Sequence, residues 1–305
     1  MDKARSVTVI GAGLMGHGIG QVFARAGHPV VLTDPDRAVL DAALARVERN
    51  LWDEKVDAGP ILARMSVETR LELAVAEADL VIEAAPERLD LKQQLFAQVA
   101  EAAPKRAILA SNTSVIPITR IGESLDAEAR RRLVGTHWWN PPHLIPLVEV
   151  IRTTFTDDAV FQTVFDWLQA VGKRPVKVNR DVTGFIGNRL QHALWREAIE
   201  LVEAGVCDAE AIDLVVKNSF GMRMPVLGPM ENADLVGLEL TRAVHQLLFP
   251  ELTARSTPSP MLDRLIDGGD LGMKSGRGLR HWTEAEAKAV HARLALHLLR
   301  MQGDK

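Results

Sequence analysis

Cysteine is almost absent: Cys207 stands alone among 305 residues, so no disulfide can close within the chain. That usage fits a reducing compartment. Long apolar runs are missing as well. None approaches the ~18 residues of a membrane span, and the few residues ahead of the first strand-like run leave no room for a secretory leader. The expectation is a cytoplasmic protein without a membrane partner. There is also no surplus of positive charge. Lys and Arg number 36 against 40 Asp and Glu, a net charge of −4, which offers nucleic acid or an anionic membrane no electrostatic footprint. His143, His192, His245 and His297 are isolated along the chain, so no metal site is expected. No local Ser-His-Asp or Cys-His arrangement points to nucleophilic catalysis.

What is present is the composition of an ordinary globular protein, 47% apolar and 25% charged, long enough for two domains. The most informative stretch is 7–16. Val7 to Ile10 is a short β-branched run that reads as a buried strand, and Gly11, Gly13 and Gly16 turn the chain directly into a helix. In such a turn the first glycine permits the tight bend, the second lets the backbone approach a pyrophosphate, and the third lets helix and strand pack closely. The backbone around Leu14 and Met15 belongs to the same cradle, because the unpaired N–H groups of a helix N-terminus attract an anion. Asp34 closes the next apolar run, 30–33. A carboxylate there accepts hydrogen bonds from ribose hydroxyls and repels a 2′-phosphate, so the expected cofactor is NAD rather than NADP.

Strand and helix patterns alternate up to about residue 180. Strands are expected at 78–83, 107–110, 133–134, 147–151 and 175–178, with helices over 37–56, 89–102 and 157–171. This alternation predicts a mainly parallel sheet covered by helices on both faces. Beyond 181–184 scarcely any strand-like run occurs. Ile186, Leu190, Leu194, Ala198, Leu201 and Val202 mark one side of a long helix ended by Gly205, and further helices are expected from Asp208, over 234–248 and over 284–301, with a loop at 250–260. The fold class is therefore α/β: a Rossmann-type doubly wound domain at 1–182, then an all-helical domain at 183–305.

A dinucleotide site is not a reaction. Removing a hydride from an alcohol carbon also needs a base for the hydroxyl proton. His137 follows a strand and precedes Trp138, Trp139, Asn140, Pro141 and Pro142, a bend at the open edge of the sheet. Glu149 lies inside the next apolar strand, where an unpaired carboxylate is costly. Two readings stand: Glu149 returns to His137 and fixes its tautomer, or His137 bonds a loop and Glu149 faces solvent. The polar cluster 111–114 either places hydroxyls beside the nicotinamide and the substrate oxygen or caps the helix beginning near Ile116. Asn188, early in the long helix, meets either a reacting oxygen or a backbone carbonyl.

Together these segments resemble the L-3-hydroxyacyl-CoA dehydrogenase family almost end to end. The carriers are 81–87 with Leu91 and Lys92, 111–114, 137–141, 147–149 and 181–189, then 228–231 with 234–238, and 273–278, in family order. The resemblance implies His137 as acid–base, Glu149 as its orienting partner, and Ser114 and Asn188 on the reacting oxygen. It implies Glu87, Lys92, Ser114, Asn140 and Lys274 as nicotinamide-side contacts and a helical domain that forms a homodimer. The chain departs from the acyl-CoA enzymes in two respects. Trp138 and Trp139 replace two phenylalanines. The stretch 36–70 mixes Arg37, Arg46, Arg49, Lys55, Arg64 and Arg70 with acids instead of carrying a lysine-rich hairpin for the phosphates of CoA. The segment 140–149 is more similar to relatives acting on small free acids, such as the gulonate (lambda-crystallin type), carnitine and pyridine-carboxylate dehydrogenases. The implied substrate is a small hydroxy acid, with an acyl-CoA thioester as the alternative. A non-catalytic NAD-binding protein of the crystallin kind is the reading from another class.

Overall fold

The computed structural model describes residues 4–303. Eight strands form one sheet: β1 (Val7–Ile10), β2 (Val30–Thr33), β3 (Met65–Glu68), β4 (Leu80–Glu83), β5 (Ile108–Ser111), β6 (Leu133–Trp138), β7 (Leu147–Ile151) and β8 (Arg174–Val178). Their spatial order is β3-β2-β1-β4-β5-β6-β7-β8. All neighbours run parallel except β6 and β7, which are antiparallel. Every residue of β1, β4, β5 and β6 is buried, which is why these strands read as continuous apolar runs rather than alternating ones.

Successive side chains leave the sheet on opposite faces. Leu80 and Ile82 of β4 join one core with Val7 and Val9, whereas Val81 joins a second core with Ile10. On the first face α1 (Gly16–Arg25) and α2 (Arg37–Asp53) pack. The α2 helix starts at Asp36, whose side chain accepts the Ala38 N–H at 2.8 Å, and it buries Leu40, Ala43, Val47 and Leu51 at helical spacing. The helix Leu89–Ala102 lies on the second face through Phe96 and Val99. Each such fully buried aliphatic or aromatic side chain contributes roughly 1.5–3 kcal/mol of transfer free energy. Strand order reverses between β2 and β4 around β1, and ligands of open α/β sheets bind outside the carboxyl ends of the strands at that point.

The chain forms two compact units, one running to Asn188 and taking up the chain again from Leu298, the other spanning Arg189–His297. The second is helical: it holds most of Gly187–Glu203, then Ala209–Asn218, Pro229–Val236, Leu238–Leu248 and Pro260–Asp267. Besides short helices such as Gly59–Leu62, Leu71–Val75 and Ala127–Arg131, three elements show why the sequence expectation was incomplete. β3 carries little pattern because it is a sheet edge on which only Met65 is buried. The helix expected over 234–248 is two helices, broken at Gly237, whose φ of +94° takes the chain out of helical geometry. Pro260–Asp267 is a helix that the loop-like composition around it concealed; Ser259 caps it by accepting the Met261 N–H at 3.1 Å.

Candidate active site

The loop after β1 is shaped by what its glycines exclude. Gly11 adopts φ +88°, and a Cβ there would lie 2.7 Å from the Ala84 carbonyl oxygen. A Cβ on Gly16 would lie 1.8 Å from the Gly11 oxygen, so the helix can start this close to the strand only with glycine. Gly13 differs: a Cβ there would meet nothing within 4 Å, and its backbone faces open space. No side chain caps the start of α1 at Met15, which leaves its first amides for a ligand anion. Asp34, one residue beyond β2, accepts the Ala12 N–H with one carboxylate oxygen and the Asp36 N–H with the other, both at 3.1 Å. The carboxylate is thereby held against the glycine loop. This open, uncapped cradle with an acid beside it fits a dinucleotide.

The second half of the site lies at the same edge of the sheet. His137 and Glu149 are direct partners across the antiparallel β6–β7 pair, so their side chains project to one face. His137 Nδ1 lies 2.7 Å from Glu149 Oε2, and both residues are buried. The other oxygen, Oε1, accepts the N–H groups of Ile186 at 2.8 Å and Gly187 at 3.0 Å, at the start of the helix Gly187–Glu203. Burial alone raises the Glu149 carboxyl, but the hydrogen bonds from His137, Gly187 and Ile186 outweigh it and hold the group below the usual carboxylate range. With Glu149 ionised, Nδ1 carries the proton and Nε2 is left as the basic nitrogen.

Local backbone and packing hold this pair in place. Gly184 and Phe185 both have left-handed backbones, φ +74° and +48°. The turn they make is followed at once by the two N–H groups bound to Glu149. A buried phenylalanine at positive φ is uncommon and costs free energy. The Phe185 and Trp139 rings flank the His137 ring, with centroids 5.6 and 5.4 Å away. Trp139 rests in turn on Gly187, where a Cβ would sit 2.4 Å from the indole. Trp138 faces the core instead, against Phe23.

The cluster after β5 splits by direction. Ser111, Asn112 and Thr113 are buried and Ser114 is exposed. Asn112 accepts the Trp138 N–H at 2.9 Å. Glu87 Oε1 gathers the Ser114 and Val115 amides, both at 3.0 Å, and the Thr113 hydroxyl. Burial raises the Glu87 carboxyl, but the Thr113 hydroxyl, the Val115 and Ser114 amides and the Lys92 ammonium pull it below its ordinary value. Asn188 Nδ2 donates to the Ser114 carbonyl at 2.9 Å, so the backbone-carbonyl reading describes one of its two N–H bonds.

His137, Glu149, Ser114, Asn188, Glu87 and Lys92 thus come from distant points in the sequence to neighbouring carboxyl ends of strands, with Gly11, Gly13, Leu14, Met15, Gly16 and Asp34 beyond β1 and β2. Asn140 is exposed just past β6. Lys274 lies in the second compact unit, on the single turn Met273–Ser275, where it lines a cavity of about 770 Å3 with Trp195 and Trp282. Two residues were missed by sequence reasoning. Glu83 is buried and accepts the hydroxyl of Ser111, a member of the polar cluster, at 2.6 Å, and Phe185 walls the histidine. Glu83 carried a usable signal, an acid closing an otherwise apolar strand. Phe185 carried none, since a phenylalanine gives no local sign of positive φ.

The family models match in two consecutive blocks. Residues 6–182 match the 3-hydroxyacyl-CoA dehydrogenase NAD binding domain and residues 184–282 the C-terminal domain of the same family. The chain is 36% identical over 299 residues to 5-formyl-3-hydroxy-2-methylpyridine 4-carboxylate 5-dehydrogenase of Mesorhizobium japonicum, covering 97% of this chain and 96% of that one. It is 37% identical over 289 residues to the mitochondrial hydroxyacyl-coenzyme A dehydrogenase of Homo sapiens, covering 90% of each. A solved structure of a 5-formyl-3-hydroxy-2-methylpyridine 4-carboxylic acid 5-dehydrogenase, described as an NAD+ dependent dismutase, superposes with a TM-score of 0.90 at 34% identity over 98% of both chains. The (S)-3-hydroxybutyryl-CoA dehydrogenase of Ralstonia eutropha gives 0.75 at 32% identity, covering 92% of this chain and all of that one. Matched across both domains and by relatives over nearly its whole length, this chain belongs to the 3-hydroxyacyl-CoA dehydrogenase family and is an NAD-dependent dehydrogenase acting on a hydroxyl group.

Proposed function

We propose that this enzyme oxidises the secondary hydroxyl of a small free hydroxy acid to a carbonyl, with His137 as the proton acceptor. The observation that carries the reading is the buried 2.7 Å contact between His137 Nδ1 and Glu149, at the sheet edge that also holds the glycine loop. When bound, NAD supplies the acceptor for the hydride leaving the alcohol carbon. The hydroxyl proton goes to Nε2 of His137. Glu149 stabilises the imidazolium that forms, and its bonds to the Ile186 and Gly187 amides keep it in place while it does so. Ser114 and the second N–H of Asn188 hold the reacting oxygen. The chain contains no tyrosine, which removes the phenol as a rival proton carrier. Glu87 and Asn140 are assigned to the nicotinamide side of the cofactor.

Two observations favour a free acid over a CoA thioester. The stretch 36–70 mixes charges of both signs: Arg37 pairs with Asp41, Arg70 with Glu68, and Arg64 donates to the Pro60 carbonyl, while Arg46, Arg49 and Lys55 are interspersed with Glu48, Asp53 and Glu54. A multiply charged phosphate group is matched by a cluster of one sign rather than by such a mixture. The structural likeness is also higher to the pyridine-carboxylate enzyme than to the hydroxybutyryl-CoA enzyme, TM-score 0.90 against 0.75.

The working form is proposed to be a cytoplasmic homodimer. Among the described residues no apolar side chain of Arg189–His297 is buried, and Val226, Leu235 and Leu247 are each more than 70% exposed. No helix of the described residues is long and apolar enough to cross a membrane. The second copy is the natural cover for such helices.

The test is a reduction assay of NAD with a panel of free 3-hydroxy and heteroaromatic hydroxy acids beside 3-hydroxybutyryl-CoA. Turnover of a free acid with His137→Gln lowered by roughly 10²–10⁴-fold is the expected result. Preference for the thioester overturns the substrate class. Near-normal turnover in His137→Gln removes the histidine from its role.

A further inference from the structure

Glu83 and Lys92 are among the most heavily buried charges of the first unit, and the proposed reaction gives neither of them a step. Glu83 ends β4, between Ile10 of β1 and Ser111 of β5 in register, and it has no exposed surface. Its carboxylate accepts from Lys92 Nζ at 2.6 Å, the Ala85 N–H at 2.7 Å and the Ser111 hydroxyl at 2.6 Å. The Ser111 oxygen itself accepts the Thr113 N–H at 3.2 Å. Burial pushes the Glu83 carboxyl up, against the Lys92 ammonium and these hydrogen bonds. Since its partners are donors, the carboxylate is the form that the surroundings suit.

Lys92 is 1% exposed. Its ammonium has three N–H bonds and three protein acceptors: Glu83 Oε1, the Ala85 carbonyl at 3.2 Å and Glu87 Oε2 at 3.4 Å. An ammonium so enclosed contributes through its charge. Glu83, Lys92 and Glu87 together carry a net charge of −1. The short contact neutralises Lys92 against Glu83, so the remaining charge resides on Glu87, whose side chain is 36% exposed. Without Glu83 the same ammonium, already 3.4 Å from Glu87, would be left with that carboxylate as its one counter-charge and would cancel it.

We propose that Glu83 is a positioning residue that takes the greater share of the Lys92 ammonium, at 2.6 Å against 3.4 Å to Glu87, so that the group keeps a net negative charge beside the Ser114 turn and favours oxidised over reduced cofactor. The nicotinamide ring is cationic when oxidised and neutral when reduced, so a nearby net negative charge distinguishes the two forms by Coulomb attraction. The proposal rests on the assignment of Glu87 to the nicotinamide side.

The experiment measures Kd for NAD+ and for NADH by titration calorimetry on the full-length enzyme, with thermal unfolding recorded in parallel. In Glu83→Gln the ratio of the two constants should shift against NAD+ by about fivefold or more. Adding Lys92→Met removes the misdirected ammonium, so the double variant E83Q/K92M should regain the wild-type ratio. A merely structural role for Glu83 weakens both forms alike, and the double variant then regains nothing; either result overturns the proposal. If Glu83→Gln does not fold, the double variant decides alone, a wild-type ratio supporting the proposal and a lost one overturning it. Glu87→Gln separates the two levels. An unchanged ratio there overturns the assignment of Glu87 and this proposal with it. A shifted ratio in Glu87→Gln combined with an unshifted one in Glu83→Gln overturns the role of Glu83 alone.

Discussion

Glu149 joins His137 to the first turn of a helix: one carboxylate oxygen lies 2.7 Å from Nδ1 and the other accepts the Ile186 and Gly187 amides. The orientation of the imidazole is therefore tied to the backbone at residues 184–187, not to its own strand alone.

Glu149→Gln keeps the shape and removes the charge. Turnover should fall by roughly 10²-fold or more, because the imidazolium loses its counter-charge and the tautomer its anchor. Stability should change with pH in a definite direction. The Glu149 carboxyl lies below its ordinary value in the fold, so its contribution is fully present above the unfolded carboxylate pKa. It is lost as pH falls through the lower folded value. The gap between wild-type and Glu149→Gln melting temperatures should accordingly narrow on acidification below about pH 4.5. A gap that stays constant from neutral to acid pH would contradict the ionised, hydrogen-bonded carboxylate.

The sequence was legible where one residue type has one physical use. Gly11 and Gly16 had to be glycine for steric reasons, the apolar runs of β1 and β4 could only be buried, and Glu149 inside a strand needed a partner. The edge strand β3 was not legible, since Met65–Glu68 buries one side chain and shows no period. The break at Gly237 was hidden because a glycine within an amphipathic pattern does not announce its φ. Lys92 was named only through the family resemblance, and its burial was not legible, since it depends on Glu83 arriving beside it from β4.

Asp34→Ala tests the cofactor reading at the other end of the cradle. The carboxylate holds the Ala12 and Asp36 amides and, in the proposed reading, binds the ribose. Its removal should raise Kd for NAD by about tenfold and reduce discrimination against NADP. Titration with both dinucleotides checks this, and an unchanged preference would exclude Asp34 as the selector.

The exposed apolar side chains of Arg189–His297 require a cover in solution. Sedimentation should give a dimer at micromolar concentration, and the melting temperature should rise with protein concentration, because association draws on the folded state. A monomer with a concentration-independent melting temperature would exclude the homodimer.

Gly187 and Trp139 provide a pairwise test of how His137, the proposed proton acceptor, is walled. A Cβ on residue 187 would lie 2.4 Å from Trp139 Cζ2, closer than the ring can tolerate without moving, and Trp139 lies against the His137 ring. Gly187→Ala should therefore displace the indole and disturb the amide that holds Glu149, lowering turnover by roughly tenfold and stability by about 1–3 kcal/mol through overpacking. Trp139→Phe removes the atoms that would clash. In the double variant the smaller ring should accommodate the methyl group, so the combined stability loss should be less than the sum of the single losses by at least 0.5 kcal/mol or so. Denaturant unfolding of the four proteins in this cycle measures the coupling. Additive losses would mean that residue 187 acts on Glu149 alone and that Trp139 does not transmit the clash.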